Sequence, residues 1–112
     1  MSNYLIKGQS LEVNVPLVSA NGAYQLMLQD DGNLVLYQNN GYKPLWSSDT
    51  EGKGGVIMTF QEDGNFVVYT AGNVAVWASG TNGKGSAILI MQDDGNLVIY
   101  PTAVWATNTA NE

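Results

Sequence analysis

The feature that most constrains this chain is a nine-residue segment that occurs three times, at positions 29–37, 61–69 and 92–100. Each copy reads Gln-x-Asp-Gly-Asn-x-Val-x-Tyr, where the first variable position is acidic and the other two are apolar. In an extended chain successive side chains point to opposite sides, so Asn, Val and Tyr share one face and the variable apolar residues share the other. The variable face is typical of a core, whereas the other face keeps the same residues in all three copies.

The Asp-Gly pair inside each copy predicts a tight hairpin. A straight segment from Gln29 to Tyr37 would span roughly 26 Å at about 3.3 Å per residue, which is far longer than a small polar ligand. A turn at Asp31-Gly32 instead folds Gln29 back beside the strand that starts at Asn33. The polar side chains of each copy can then converge.

The spacing of the copies predicts an all-β fold. The copies recur after 32 and then 31 residues, and each repeat unit carries one tryptophan, Trp46, Trp77 or Trp105. A sheet of three or four strands cannot bury its inner face alone, so three sheets should pack around a common axis as a triangular prism. The predicted inner faces are Leu26, Leu28, Leu34 and Leu36; Met58, Phe60, Phe66 and Val68; and Leu89, Met91, Leu97 and Ile99. We interpret the tryptophans as core residues between the sheets, with stacking against a sugar as the alternative.

The strand pattern predicts one domain over residues 1–112. Opening strands are expected at 4–6 and 11–18, followed by repeat units at 22–55, 56–86 and 87–107. Each unit has a hairpin and then a tryptophan-containing strand, at 45–47, 74–78 and 104–106. The glycine-rich segments 51–55 and 82–86 are expected to be connectors, because they lack the spacing and the following helix of a phosphate-binding loop.

Charge and composition exclude several classes of function. Ten acidic against four basic residues give a net charge of -6, which argues against nucleic acid or an anionic membrane as partner. The chain has no cysteine and no histidine, which removes disulfides, thiol nucleophiles, the usual zinc ligands and the commonest general base. We expect no catalytic residue, metal or cofactor, since adjacent acids such as Asp30 and Asp31 should point apart on a turn.

Hydropathy gives an expectation about location. No apolar run approaches about 18 residues, and no charged-then-apolar leader follows Met1. We therefore expect neither membrane insertion nor a secretory signal, so that the protein would be cytoplasmic or released by a non-classical route.

The three copies, each followed by a tryptophan-containing strand, resemble the monocot mannose-binding lectins of the snowdrop, or bulb, type. The resemblance covers essentially the whole chain, including the ending Trp105-Ala106-Thr107. It implies a β-prism II fold, with three antiparallel sheets around a pseudo-threefold axis and one metal-independent mannose site on each sheet. The implied sugar-binding residues are Gln29, Asp31, Asn33, Val35 and Tyr37; Gln61, Asp63, Asn65, Val67 and Tyr69; and Gln92, Asp94, Asn96, Val98 and Tyr100.

The residue types suit a sugar. A hydroxyl both donates and accepts, so a carboxylate that only accepts, beside an amide that can donate, holds it well. The resemblance implies that Asp31 and Asn33 hold the axial 2-hydroxyl of mannose, that Gln29 and Tyr37 reach the 3- and 4-hydroxyls, and that Val35 lies against the ring. Several such sites would favour mannose-rich glycans and glycoproteins as partners. Replacement of Asn33 by Ala is expected to silence site one and leave the fold intact.

The resemblance also carries two structural expectations. Many relatives have a disulfide whose usual positions are held here by Gly32 and Val56, which fits a relative made without oxidative folding. Relatives often dimerise by exchanging the C-terminal strand, so a homodimer is an open possibility. Two alternatives also stay open: Asp-Gly-Asn as turn chemistry alone, and a structural or protein-interaction prism that binds no sugar.

Overall fold

The computed structural model describes residues 2–101, which form eleven β-strands. Their bounds in chain order are β1 Tyr4–Ile6, β2 Ser10–Glu12, β3 Leu17–Val18, β4 Tyr24–Leu28, β5 Leu34–Gln38, β6 Lys43–Ser47, β7 Gly55–Phe60, β8 Phe66–Thr70, β9 Ala75–Ala78, β10 Ser86–Met91 and β11 Leu97–Pro101. Within this range no helix is long and apolar enough to cross a membrane.

The strands pair into three antiparallel sheets, as the repeat predicted. We number the sheets by repeat unit: sheet I has the order β3-β4-β5-β6, sheet II has β2-β7-β8-β9, and sheet III has β1-β10-β11. In sheets I and II the two strands that flank the Asp-Gly turn lie at the centre, whereas in the described part of sheet III β10 is central and β11 lies at the edge. The predicted third-unit strand at 104–106 lies outside the described residues.

The opening segment departs from the prediction. A single strand at 11–18 is wrong, because Asn14 has a positive φ of 65° and Pro16 has no backbone N–H to donate. The segment instead gives two short strands that join different sheets. β1, β2 and β3 thus each add an outer strand to one of the three sheets.

The core lies between the inner faces of the three sheets, and its composition follows the predicted alternation. All four predicted residues of sheet I, all four of sheet II, and Leu89 and Met91 of sheet III are buried, and Leu5 and Leu17 from the opening strands join them. Leu97 and Ile99 pack against this cluster but are only partly buried. Sheet III has three strands in the described part of the chain, so its inner face is less covered than the other two.

The tryptophans do not behave as simple core residues. Trp77 is half-buried and meets Phe66 edge to face, with ring centroids 6.0 Å apart. Trp46 contacts Trp77 in the same way at 5.6 Å but keeps 41% of its surface exposed. Together they line an apolar cavity of about 530 Å³. The interpretation as core filler is therefore wrong for Trp46, and Trp105 lies outside the described range.

The predicted turns are confirmed in all three copies. The motif glycines Gly32, Gly64 and Gly95 have φ values of 87°, 87° and 91°, a conformation that only glycine adopts without strain. Each donates its N–H to the carbonyl of the motif Gln, at 2.9, 2.9 and 3.1 Å. The turn of sheet I is also tightly packed, because a Cβ on Gly32 would lie 3.3 Å from the backbone nitrogen of Gly55.

Gly32→Ala should therefore destabilise the protein. A left-handed backbone with a side chain, next to backbone that has little room to move, costs about 1–3 kcal/mol. Urea denaturation measures this difference in the free energy of unfolding. Gly72→Ala is the matched control, because the nearest atom to its Cβ would be 3.8 Å away and its φ is not positive. Equal stability of the two variants would contradict this account of the turn.

Candidate functional site

The fixed residues of each copy converge on the outer face of their sheet. We call the three groups site one (Gln29, Asp31, Asn33, Val35, Tyr37), site two (Gln61, Asp63, Asn65, Val67, Tyr69) and site three (Gln92, Asp94, Asn96, Val98, Tyr100). In each site the backbone N–H of the motif Gln donates to the carbonyl of the motif Asn across the turn. The side-chain Nε2–H of the same Gln donates to the hydroxyl of the motif Tyr. The two ends of the motif are thereby brought together, as the hairpin predicted.

The motif aspartate is fixed by a local hydrogen bond. In each site the backbone N–H of the motif Asn donates to Oδ1 of the Asp two residues earlier, at 2.9 Å. This is an Asx turn, so the Asp has a structural task as well as any binding task. Its second carboxylate oxygen makes no hydrogen bond within residues 2–101 and remains an acceptor for a ligand.

The side-chain amide of the motif Asn is oriented by the loop that follows the tryptophan strand. In site two, Asn65 Oδ1 accepts from the backbone N–H of Gly80 at 2.9 Å and of Thr81 at 3.2 Å, and from Ser79 Oγ at 3.1 Å. In site one, Asn33 Oδ1 accepts from Ser48 Oγ and from the Thr50 N–H, both at 3.2 Å. Because backbone N–H groups can only donate, this atom must be the oxygen, and the NH₂ group is left for a ligand.

These loop residues were missed by the sequence analysis, although a signal was present. Ser or Thr recurs two and four residues after every tryptophan: Ser48 and Thr50, Ser79 and Thr81, Thr107 and Thr109. The first two pairs are also linked to each other, with hydroxyl oxygens 2.8 Å apart, and Thr50 and Thr81 donate to the carbonyls of the motif glycines. The third pair lies beyond the part of the chain that the structure describes.

The motif valines differ in exposure among the sites. Val35 and Val67 lie on the outer face but are only 3% and 2% exposed, whereas Val98 is half-buried. Valine therefore forms the floor of sites one and two rather than an open surface. Site three is the more open, and its Asn96 is exposed where Asn33 and Asn65 are half-buried.

Two of the three variable acids beside the motif aspartates serve structure. Asp30 Oδ1 accepts from Asn14 Nδ2 at 2.8 Å, and Asp93 Oδ1 accepts from the Asn21 backbone N–H at 2.9 Å. These bonds attach the loops of the opening segment to the motif turns. Adjacent acids such as Asp30 and Asp31 thus have separate partners, which argues against a catalytic carboxylate pair.

The hydrogen bonds to the motif Asn give a prediction that differs from the sequence expectation. Asn65→Ala leaves three donors of the 79–81 loop without their acceptor, so the free energy of unfolding should fall by about 1–3 kcal/mol. The expectation that Asn33→Ala leaves the fold unaffected is revised for the same reason. Urea denaturation of Asn65→Ala beside Gln61→Ala tests the point, because within residues 2–101 the Gln61 side chain bonds only to Tyr69. Equal stabilities of these two variants would contradict the structural role of the amide.

Comparisons with known proteins place these features in a family. Along 99% of this chain and 100% of the other, the fold matches the mannose-specific agglutinin of snowdrop (Galanthus nivalis) complexed with methyl-α-D-mannoside, with a TM-score of 0.82 and 38% identity. The Polygonatum cyrtonema lectin complexed with monomannoside gives a TM-score of 0.80 and 38% identity, over 98% and 99% of the two chains. The β-prism II fold implied by the sequence resemblance is thus confirmed.

Sequence comparison gives a shorter match. The B-type lectin plumieribetin of Scorpaena plumieri is 41% identical over 73 residues, which are 65% of this chain and 62% of that protein. The match therefore spans less than two thirds of plumieribetin. No protein-family model matches the chain. Since the snowdrop lectin is matched over its whole length, the chain belongs to the family of bulb-type, mannose-specific lectins.

Proposed function

We propose that this chain is a non-enzymatic lectin that binds α-linked mannose at three metal-independent sites, and through them mannose-rich glycans. The observation that carries the proposal is the motif Asn of sites one and two: its side-chain oxygen is occupied internally, which leaves its NH₂ group for a ligand, and its backbone N–H holds the motif Asp in the same turn. Two family members of known structure were crystallised with mannosides, which supports the same ligand here.

The geometry suits one sugar hydroxyl in particular. The Nδ2–H of Asn33 can donate to a hydroxyl oxygen while the free carboxylate oxygen of Asp31 accepts the hydroxyl proton. We assign the axial 2-hydroxyl of mannose to this pair, the 3-hydroxyl to Gln29 and the 4-hydroxyl to Tyr37. Val35 forms the floor below the ring. Asp63 with Asn65, and Asp94 with Asn96, have the same roles in sites two and three.

This pairing also gives selectivity. Glucose has an equatorial 2-hydroxyl, so its binding would leave the Asp and Asn groups partly desolvated and unpaired. A site built to hydrogen-bond one hydroxyl rejects a ligand that lacks it at that position, because the unpaired groups carry the desolvation penalty. We therefore expect mannose to bind and glucose to bind much more weakly at all three sites.

The affinity of one site should be low. Mannose has ~12 heavy atoms, and at roughly 0.3 kcal/mol per atom the site gives about -4 kcal/mol, or a Kd near 1 mM. Three sites on different sheets can engage a branched glycan together, which raises affinity by roughly 10² or more where the spacing permits. Multivalent binding is thus part of the proposed mechanism.

A homodimer is also proposed, and the apolar cavity beside Trp46 and Trp77 supports it. This cavity of about 530 Å³ is lined by core-side residues of all three sheets, among them Leu36, Leu89 and Ile99. An exchanged C-terminal strand carrying Trp105 would supply an apolar side chain for it and would increase the number of sugar sites per particle. Light scattering on the native chain and on Trp105→Ser tests this, and a native monomer would contradict it.

Titration with methyl α-mannoside tests the sugar proposal directly. Backbone amide NMR shifts of Asn33, Asn65 and Asn96 report the sites separately, and each should saturate with a Kd near 1 mM. Asn33→Asp keeps the oxygen that the 48–50 loop needs but replaces the donor NH₂, so it should abolish binding at site one alone. Methyl α-glucoside is the matched control ligand.

The alternative is a prism that serves only structure or a protein partner. This alternative would be favoured if the amide chemical shifts of all three sites stayed unchanged at tens of millimolar methyl α-mannoside. Saturation of all three sites in Asn33→Asp would instead show that the amide donor is not part of recognition.

A further inference from the structure

The outer face of sheet III carries an apolar patch beside site three. Two cross-strand rows form it: Tyr4 pairs with Ile90, which pairs with Val98, and Ile6 pairs with Ile88, which pairs with Tyr100. Residues directly opposite each other in antiparallel strands share a face, so all six lie on the side of the sugar site. We call Tyr4, Ile6, Ile88 and Ile90 the apolar patch.

The patch is accessible to a ligand. Tyr4 and Ile6 are 45% and 47% exposed, and Ile88 and Ile90 are half-buried. A single exposed isoleucine needs no explanation, but contiguous apolar residues on a surface mark interaction sites. The four residues span neighbouring strands β1 and β10, so they form one continuous surface.

The other two sheets provide an internal comparison. At the corresponding positions of sheet II, Ser10 replaces Tyr4, Glu12 replaces Ile6 and Thr59 replaces Ile90. Sheet II keeps an isoleucine, Ile57, where sheet III has Ile88. Sheet I has Gln25 at that position, but it has apolar Val18 and Met27 where sheet III has Ile6 and Ile90. Sheet II therefore carries polar side chains at three of the four positions that are apolar on sheet III.

The patch is continuous with site three. A surface cavity of about 550 Å³ joins them. It is lined by Gln92, Asp94 and Tyr100 of the site, by Ile90 of the patch, and by Asn3, Ala20, Met91 and Asp93. This volume lies in the range of roughly 300–1,000 Å³ that holds ligands larger than a monosaccharide. A mannoside in site three would leave part of the cavity, including Ile90, free for a further group.

We propose that site three binds mannosides that carry an aromatic group, with the sugar in the motif and the aromatic ring on the apolar patch. The inference rests on the proposed function. It makes sites two and three unequal: site two takes the sugar alone, whereas site three also binds the group attached to the sugar. A ring is favoured because Tyr4 and the isoleucines offer a flat apolar surface with no charged side chain.

The experiment uses 3-phenylpropyl α-mannoside against methyl α-mannoside. The patch extends two strands from Val98, about 10 Å, so the flexible three-carbon linker lets the ring reach it. Asn33→Asp with Asn65→Asp leaves only site three, and Asn33→Asp with Asn96→Asp leaves only site two. The phenylpropyl ligand should bind about five- to tenfold more tightly than the methyl ligand at site three, and equally at site two.

Ile6→Glu with Ile90→Thr, in the site-three background, tests the patch itself. Both changes introduce the residues that sheet II already holds, so the sheet should fold as before. The five- to tenfold gain should disappear while methyl mannoside affinity stays unchanged. The reciprocal pair, Glu12→Ile with Thr59→Ile, should create the gain at site two.

The outcomes separate this inference from the proposed function. If neither mannoside binds, the proposed function fails and the inference with it. If methyl mannoside binds but the phenyl group adds nothing, or adds as much at site two, only the inference is overturned. It is also overturned if Ile6→Glu with Ile90→Thr lowers the particle mass by light scattering without changing the ligand ratio, since the patch would then be a contact between two copies. Phenylpropyl α-glucoside should not bind.

Discussion

The side-chain oxygen of the motif Asn connects the fold to its proposed ligand. In sites one and two it accepts hydrogen bonds from the loop after the tryptophan strand, at 2.9–3.2 Å. These bonds stabilise the loop and at the same time fix which way the amide faces. A donor held in advance loses little entropy when a ligand binds, which matters for a shallow site that contacts a single sugar. In the proposed function, Asn33 and Asn65 would therefore serve folding with the oxygen and recognition with the nitrogen of the same amide.

Alternation along the strands explains how such sites can sit on a small protein. The inner residues of three sheets meet in one core, in which Phe60, Phe66 and Met58 are among the largest fully buried side chains. The outer residues are then free to repeat the same polar arrangement three times. With no disulfide available to a chain without cysteine, the prism is held by this core, by sheet pairing and by the side-chain bonds between loops. The opening strands, one on each sheet, connect the three units at their edges.

Much of the fold could be predicted from the sequence, because the repeat shows both the length of each unit and the alternation of inner and outer residues along its strands. The three sheets, the Asp-Gly turns and the buried inner faces follow from those two properties. The interruption of the predicted strand at Asn14 could not be predicted from the sequence, because an alternating pattern does not show that a non-glycine residue has a positive φ. The exposure of Trp46 depends on which residues from other sheets pack against it, and a local sequence pattern does not contain that information.

The site was predicted in part for similar reasons. Its fifteen motif residues were visible because they repeat letter for letter. The hydroxyl residues that orient Asn33 and Asn65 lie 14–17 positions away in sequence, and they could not be told from the Ser and Thr residues that are common in loops. The apolar patch beside site three was hidden too, because Tyr4 and Ile90 become neighbours only when β1 joins sheet III.

A crystal structure of the chain with methyl α-mannoside would test the central claim most directly. The account predicts a sugar in each site, with its axial 2-hydroxyl about 2.7–3.2 Å from the amide nitrogen of the motif Asn and from the free carboxylate oxygen of the motif Asp. Motif sites occupied by water alone, or a sugar bound only in the cavity beside Trp46 and Trp77, would contradict it.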